Sequence, residues 1–235
     1  MPVRAIARAL GIGEIRTRRL RSLEGALLTQ PERRDGMILV NGAGSARRQR
    51  FTIGHELGHY LNPLHRSDED GRFACTGADL RFQGEESAPA DPRVLQEIEA
   101  NRFAIELLTP RHRLGRHLAG EPRLEQVIAL ASAFDISREA AARRYLERHA
   151  GRLAVIFSEQ GRLRYFRRGR GFPYIALEAG QSLPHLPGAT RGERSSELEE
   201  VDPADWLARP GVTRLRAQAL RQQGGFGMVL LVAAR

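Results

Sequence analysis

Residues 45–63 read SARRQRFTIGHELGHYLNP, and no other stretch constrains the chain as much. Ser45 is a helix-capping residue type and Pro63 a helix breaker, so the run between them reads as one helix. Within it stands His55-Glu56-Leu57-Gly58-His59. Residues four apart share a helix face, so both imidazoles can meet one metal ion. Glu56, one step round, can reach a water at that centre and take its proton. Zinc suits two imidazoles and a carboxylate with a fourth position open, and manganese accepts the same donors. The competing reading is a chance occurrence of the pattern on a metal-free helix.

Two candidates compete for the third ligand. His65 closes HELGHYLNPLH at the metzincin spacing, with Asn62 where that pattern has a turn-forming glycine. Glu99 lies in EIEANRFAIELLTP, on a second helix opened by the cap-plus-proline pair Asp91-Pro92 and closed by Pro110. Glu97 is two positions away and faces another side of that helix. Either glutamate also reads as a solvated surface charge. Cys75, in RFACTGADLR, is the chain's one cysteine. A thiolate there is a candidate latent ligand, able to fill the open position and hold an enzyme inactive; a lone cysteine is more often a small buried hydrophobe.

A single cysteine excludes an intramolecular disulfide and fits a reducing compartment. The N-terminus shows no secretory h-region, and the most apolar stretch, Met228 to Ala234, is only strand-length. The expectation is a cytoplasmic protein that does not span a membrane. The net charge of +9 suggests nucleic acid. All 37 basic residues are arginine, however, which reflects codon bias more than a binding adaptation.

The remaining pattern predicts an α+β chain. A helix over Val3–Leu10 precedes short strands at 14–20, 25–30 and 37–41, the makings of a small sheet. Residues 66–90 have little periodicity and read as a surface excursion. Helices follow at 122–133 and 138–149, joined at Phe134-Asp135-Ile136 and resembling a helix-turn-helix pair. Their arginines, Arg143 and Arg144 among them, are candidate nucleic-acid contacts; an ordinary packed hairpin is the alternative preferred. Beyond Gly151 the residues alternate, with a hairpin turn at Glu159-Gln160-Gly161. A polar loop fills 178–205, and a final hairpin turns at 223–225, its first arm either strand or helix. LRYFRRGRGFPY could stack on bases but suits a strand edge better. The expected boundary is residue 150, with a metallopeptidase-like domain including the helix pair at 122–149 before it and a smaller β-rich module, 151–235, after it.

Three segments, PVRAIARALGIGEIR, LVNGAGSARRQRFTIGHELGHYLNPLH and EANRFAIELLTP, together resemble the ImmA/IrrE family of metallopeptidases over residues 2–112, with a looser match to 149. The resemblance implies a zincin-like N-terminal domain. It makes His55, His59 and the glutamate before Ala-Asn, Glu99, the metal ligands, with Glu56 as general base. His65 then becomes a neighbour, and Tyr60, His65 and His112 are candidates for steadying the transition state. It further implies a protein substrate, typically a helix-turn-helix transcriptional repressor whose cleavage relieves repression under stress. Two other readings are a DNA-binding or antitoxin-like regulator with a structural metal, and a stress sensor that sequesters a repressor without cutting it.

Overall fold

The computed structural model describes residues 1–81, 91–186, 195–209 and 212–234, an α+β chain with two sheets. It divides into two compact units: Met1–Arg113 with Phe134–Ser137, and Leu114–Ala133 with Arg138–Arg235.

In the first unit, helix α1 (Val3–Ala9) leads into strands β1 (Ile12–Arg18), β2 (Gly25–Thr29) and β3 (Gly36–Asn41). The sheet has the order β1-β3-β2-β4, with β1 parallel to β3 and the other pairs antiparallel. Alternation puts Ile38 and Val40 on one face, where they pack against Ile53 and Leu57 of helix α2 (Ala46–Leu61). Ser45 Oγ accepts from the Arg48 amide and so caps α2, while Asp91 does the same for Arg93 at the start of α3 (Pro92–Leu108). Small residues let α2 and α3 approach closely: a Cβ on Gly58 would lie 2.9 Å from the Ala100 Cα.

The excursion expected at 66–90 is partly a strand. β4 (Arg72–Cys75) pairs with β2 at the sheet edge and buries Phe73 and Cys75. Four residues are too few for alternation to stand out; residues 82–90 of that stretch lie outside the described residues.

In the second unit, helices α4 (Leu124–Phe134) and α5 (Arg138–Arg148) accompany a sheet of order β6-β5-β9-β8-β7. Its strands are β5 (Arg152–Glu159), β6 (Arg162–Arg168), β7 (Glu199–Val201), β8 (Leu215–Arg221) and β9 (Phe226–Ala233). The first arm of the last hairpin is therefore strand. The polar stretch at 178–205 contributes β7, and its residues 187–194 lie outside the described residues. The compact units also divide elsewhere than at residue 150. The helix pair groups with the β-rich module because α5 packs on β5 and β6, and the Leu124 amide donates to the Gln218 side chain at 2.6 Å. Its connecting turn groups with the first unit, where Asp135 pairs with Arg47 at 3.0 Å and Arg50 at 2.6 Å. Among the described residues, no helix is long and apolar enough to cross a membrane.

Candidate metal centre

Three elements converge on one point. Helix α2 supplies His55 and His59, β4 supplies Cys75, and α3 supplies Glu97. From His55 Nε2 it is 3.1 Å to His59 Nε2, 3.0 Å to Cys75 Sγ and 3.1 Å to Glu97 Oε2. His59 Nε2 stands 3.4 Å from Glu97 Oε1 and 3.9 Å from Cys75 Sγ. Donors on a tetrahedral zinc, with bonds of about 2.0–2.3 Å, are separated by roughly 3.3–3.8 Å. The four atoms thus bracket a cavity of zinc's size.

The expected third ligand, Glu99, is not brought to the imidazoles; Glu97 is. The reason is helix periodicity. Glu97, Asn101, Ala104 and Leu108 recur every three or four residues along the face of α3 that packs on α2, whereas Glu99 points 200° away from Glu97 at about 100° per residue. Glu99 instead reaches Asn62 at 3.0 Å and His65 at 2.9 Å. The sequence carried a signal for this. Asn101 and the small residues Ala100 and Ala104 mark the close-packed face, and Glu97 lies one turn before Asn101.

Hydrogen bonds outside the centre fix both imidazole tautomers. Asn101 donates its amide Nδ2 to the Asp79 carbonyl at 2.8 Å, which turns its Oδ1 towards His55 Nδ1 at 2.9 Å. His55 must therefore carry its proton on Nδ1 and leave Nε2 a lone pair. On the other side, the Glu99 carboxylate accepts from His65 Nε2, which makes His65 Nδ1 an acceptor. His59 Nδ1 donates to it at 2.9 Å, and His59 Nε2 is again a lone pair. Partners of this kind orient ligating imidazoles in metal proteins. Phe73 stacks on the His59 ring, centroids 4.8 Å apart.

The electrostatics agree. Burial pushes His59 down to about 4, outweighing the pull of Glu97. For Glu97, burial acts upward, but hydrogen bonds to His55 and His59 prevail and hold it near 2; those bonds need a proton on an Nε2, the place that a cation would take instead. An ionised carboxylate thus faces a His59 imidazole that burial disposes to the neutral form. Electron-rich atoms crowd one point, an arrangement that a cation relieves. The residues present fit a divalent metal, and the thiol favours zinc over manganese.

Glu56 is fully buried, and neither carboxylate oxygen has a hydrogen-bond partner. Burial raises it to about 7, against the lowering influence of His55 and the Cys75 thiol. Its room comes from Gly25, where a Cβ would stand 2.8 Å from Glu56 Oε1 and 2.3 Å from Thr52 Cγ2. Gly25 is also the strand partner of Cys75.

The other candidates lie elsewhere. The Tyr60 hydroxyl donates to the Arg33 carbonyl at 2.7 Å and is committed there. Arg33 returns its guanidinium to the carbonyls of His59, Tyr60, Asn62 and His65, capping the end of α2. His112 is exposed on the turn Arg111–Arg113, away from the buried donors. Arg143 and Arg144 are not presented to solvent as groove contacts. Arg143 bonds Glu139 at 2.8 Å and the Tyr165 hydroxyl at 3.2 Å, and Arg144, 1% exposed, bonds Glu147 at 2.9 Å. Both belong to the packed face of α5, as in the packed hairpin that the sequence reading preferred.

The model of a peptidase family, M78, described as an IrrE N-terminal-like domain, matches residues 10–146. No curated protein matches the chain. A solved structure described as a Mycobacterium tuberculosis transcriptional regulator is similar in fold, with a TM-score of 0.56 and 14% identity. The likeness covers 98% of this chain and 69% of that one.

Proposed function

The chain belongs to the M78 peptidase family through its IrrE N-terminal-like domain, and from that premise we propose that it is a zinc-dependent endopeptidase that cuts a regulatory protein partner. One observation carries the reading: a fully buried, unpartnered Glu56 beside two imidazoles whose Nε2 lone pairs point at a common centre. A buried carboxylate left without a partner costs stability, and such a cost is sustained where function needs it.

His55, His59 and Glu97 would hold the ion. When bound, it would supply Lewis acidity to polarise a scissile carbonyl and acidify water. Glu56 does the proton work. Its carboxyl, poised near neutrality by burial, can accept a proton from the attacking water and return it to the leaving amine. Asn101 and the His65–Glu99 pair hold the imidazoles in the tautomers that leave both Nε2 atoms unprotonated.

By resemblance to repressor-cleaving peptidases, the substrate is a helix-turn-helix repressor, and cleavage relieves repression in a stress response within the cytoplasm. The test is incubation with zinc and the repressor encoded beside its gene, followed by fragment analysis. Wild type is expected to cut at one site. Glu56→Gln should bind zinc as wild type does and lose at least about 100-fold in cleavage rate. Normal cleavage by that variant would refute the mechanism.

A second reading draws on the thiol. Four protein donors can close a metal site completely, as structural zinc sites do, and a non-cutting sensor would use such a centre. Zinc binding with an intact partner, in wild type and in a variant lacking the thiol, would favour it.

A further inference from the structure

Catalytic zinc sites keep one position open, whereas the four atoms gathered here would fill all of them. Cys75 Sγ is the fourth: it stands 3.0 Å from His55 Nε2 and 3.9 Å from both His59 Nε2 and Glu97 Oε2. Its side chain is fully buried, as are those of His55, His59 and Glu56. A cavity of about 520 Å³ is lined by His65, Phe73, Tyr60 and Arg33 among others, and by none of the four donors.

We propose that Cys75 is a metal ligand that closes the centre, so that the folded protein is a latent peptidase opened when the thiolate leaves. The proposal deepens the zinc-peptidase reading and rests on it for the word peptidase; thiolate ligation itself does not. Burial, followed by the charges of Glu56 and Glu97, pushes the free thiol well above its ordinary range. A divalent cation reverses that balance: on binding it, the thiol releases its proton to solvent and the thiolate pairs with the ion.

The location suits a gate. Cys75 ends β4, the short edge strand, which is tied to the sheet through β2 alone. Withdrawing Sγ needs a side-chain rotation or a local parting of that strand, while α2 and α3 keep the other three donors in place. Edge segments of this kind open at lower free energy than a sheet interior.

The experiment uses the full chain loaded with cobalt(II) in place of zinc. Because Cys75 is the chain's one cysteine, a thiolate-to-cobalt charge-transfer band in the near ultraviolet would report it unambiguously. Wild type is expected to show that band. Cys75→Ser should lose it, keep the visible bands of a bound ion, and bind acetohydroxamate more tightly by at least about tenfold, the factor by which a site open less than a tenth of the time weakens an incoming ligand. In wild type, acetohydroxamate should bleach the band as it displaces the thiolate. A folded, cobalt-loaded wild type without the band overturns the proposal, even if the serine variant fails to fold. Acetohydroxamate binding that leaves the wild-type band intact overturns the closure. These readouts need no substrate, so they separate this inference from the peptidase reading. Repressor cleavage without a thiolate band keeps the peptidase and removes the gate, whereas a band without cleavage does the opposite.

Discussion

Two helix pairs in this chain bury polar side chains, and they do so for opposite ends. On α4 and α5, the buried charged side chains each keep at least one partner, although a single nitrogen such as Arg143 Nε has none. Arg144 meets Glu147, Arg143 meets Glu139 and Tyr165, and the Tyr145 hydroxyl meets Gln126. Their effect is to hold one packing arrangement. On α2 and α3, hydrogen bonds run outward from the centre, through Asn101 and through His65 to Glu99, and leave its middle electron-rich and its carboxylate Glu56 unpartnered. Burial alone therefore does not mark a functional site. The discriminating feature is whether a buried ionisable side chain keeps any partner at all.

The largest test of that contrast lies within α3. Glu97→Gln should lower zinc affinity on the order of a thousandfold, about one ligand's share of a zinc site's binding free energy. Glu99→Gln should cost about tenfold, the effect of an outer partner. Competition against a chromophoric chelator measures both, and equal losses would break the assignment of the two glutamates.

A smaller effect concerns the metal-free protein and pH. Glu56 is raised from 4.5 to about 7, so its stabilising contribution is full below pH 4.5 and lost as pH rises through 7. His59 is lowered from 6.5 to about 4, so its contribution is present above pH 6.5 and lost as pH falls through 4. In wild type the two trends oppose each other. Glu56→Gln removes the first, so its stability relative to wild type should grow by about 3 kcal/mol between pH 4.5 and 7. Urea unfolding with a chelator present measures this, and a difference that stays constant with pH would count against the buried, unpartnered carboxylate.

The smallest effect is expected in the satisfied pair. Arg143→Ala should destabilise the chain by about 1–2 kcal/mol through its lost bonds and its contact with the Tyr165 ring. It should leave zinc affinity unchanged. A large change in affinity would show that the two helix pairs are not independent.

How much of this was legible before any coordinates? The α2 helix, both caps and the face shared by His55 and His59 follow from local rules, because capping and helical period act over one or two turns. The choice between Glu97 and Glu99 needed the facing helix. Spacing says that two residues two apart diverge; the small residues Ala100 and Ala104 hint at the inward face, and the packing of Gly58 against Ala100 shows it. Cys75 was visible as a zinc-ligand type, but its strand is four residues long and owes its existence to pairing with β2, a non-local term. The partners of Arg143 and Arg144 are hard to read from sequence for a related reason. Charge suggests solvent, and the partners that bury Arg143 include Tyr165, which lies far along the chain.

The glycine on α2 has one more consequence. His55 and His59 stand on one side of the α2–α3 gap and Glu97 on the other, and the width of that gap is set most tightly where Gly58 meets the Ala100 backbone, with Gly54 against Ala104 one turn away. Backbone contact is stiff in a way that side-chain contact is not. The helix pair would therefore work as a calliper: an ion whose radius matches the gap would touch both jaws, and one much smaller or larger would not.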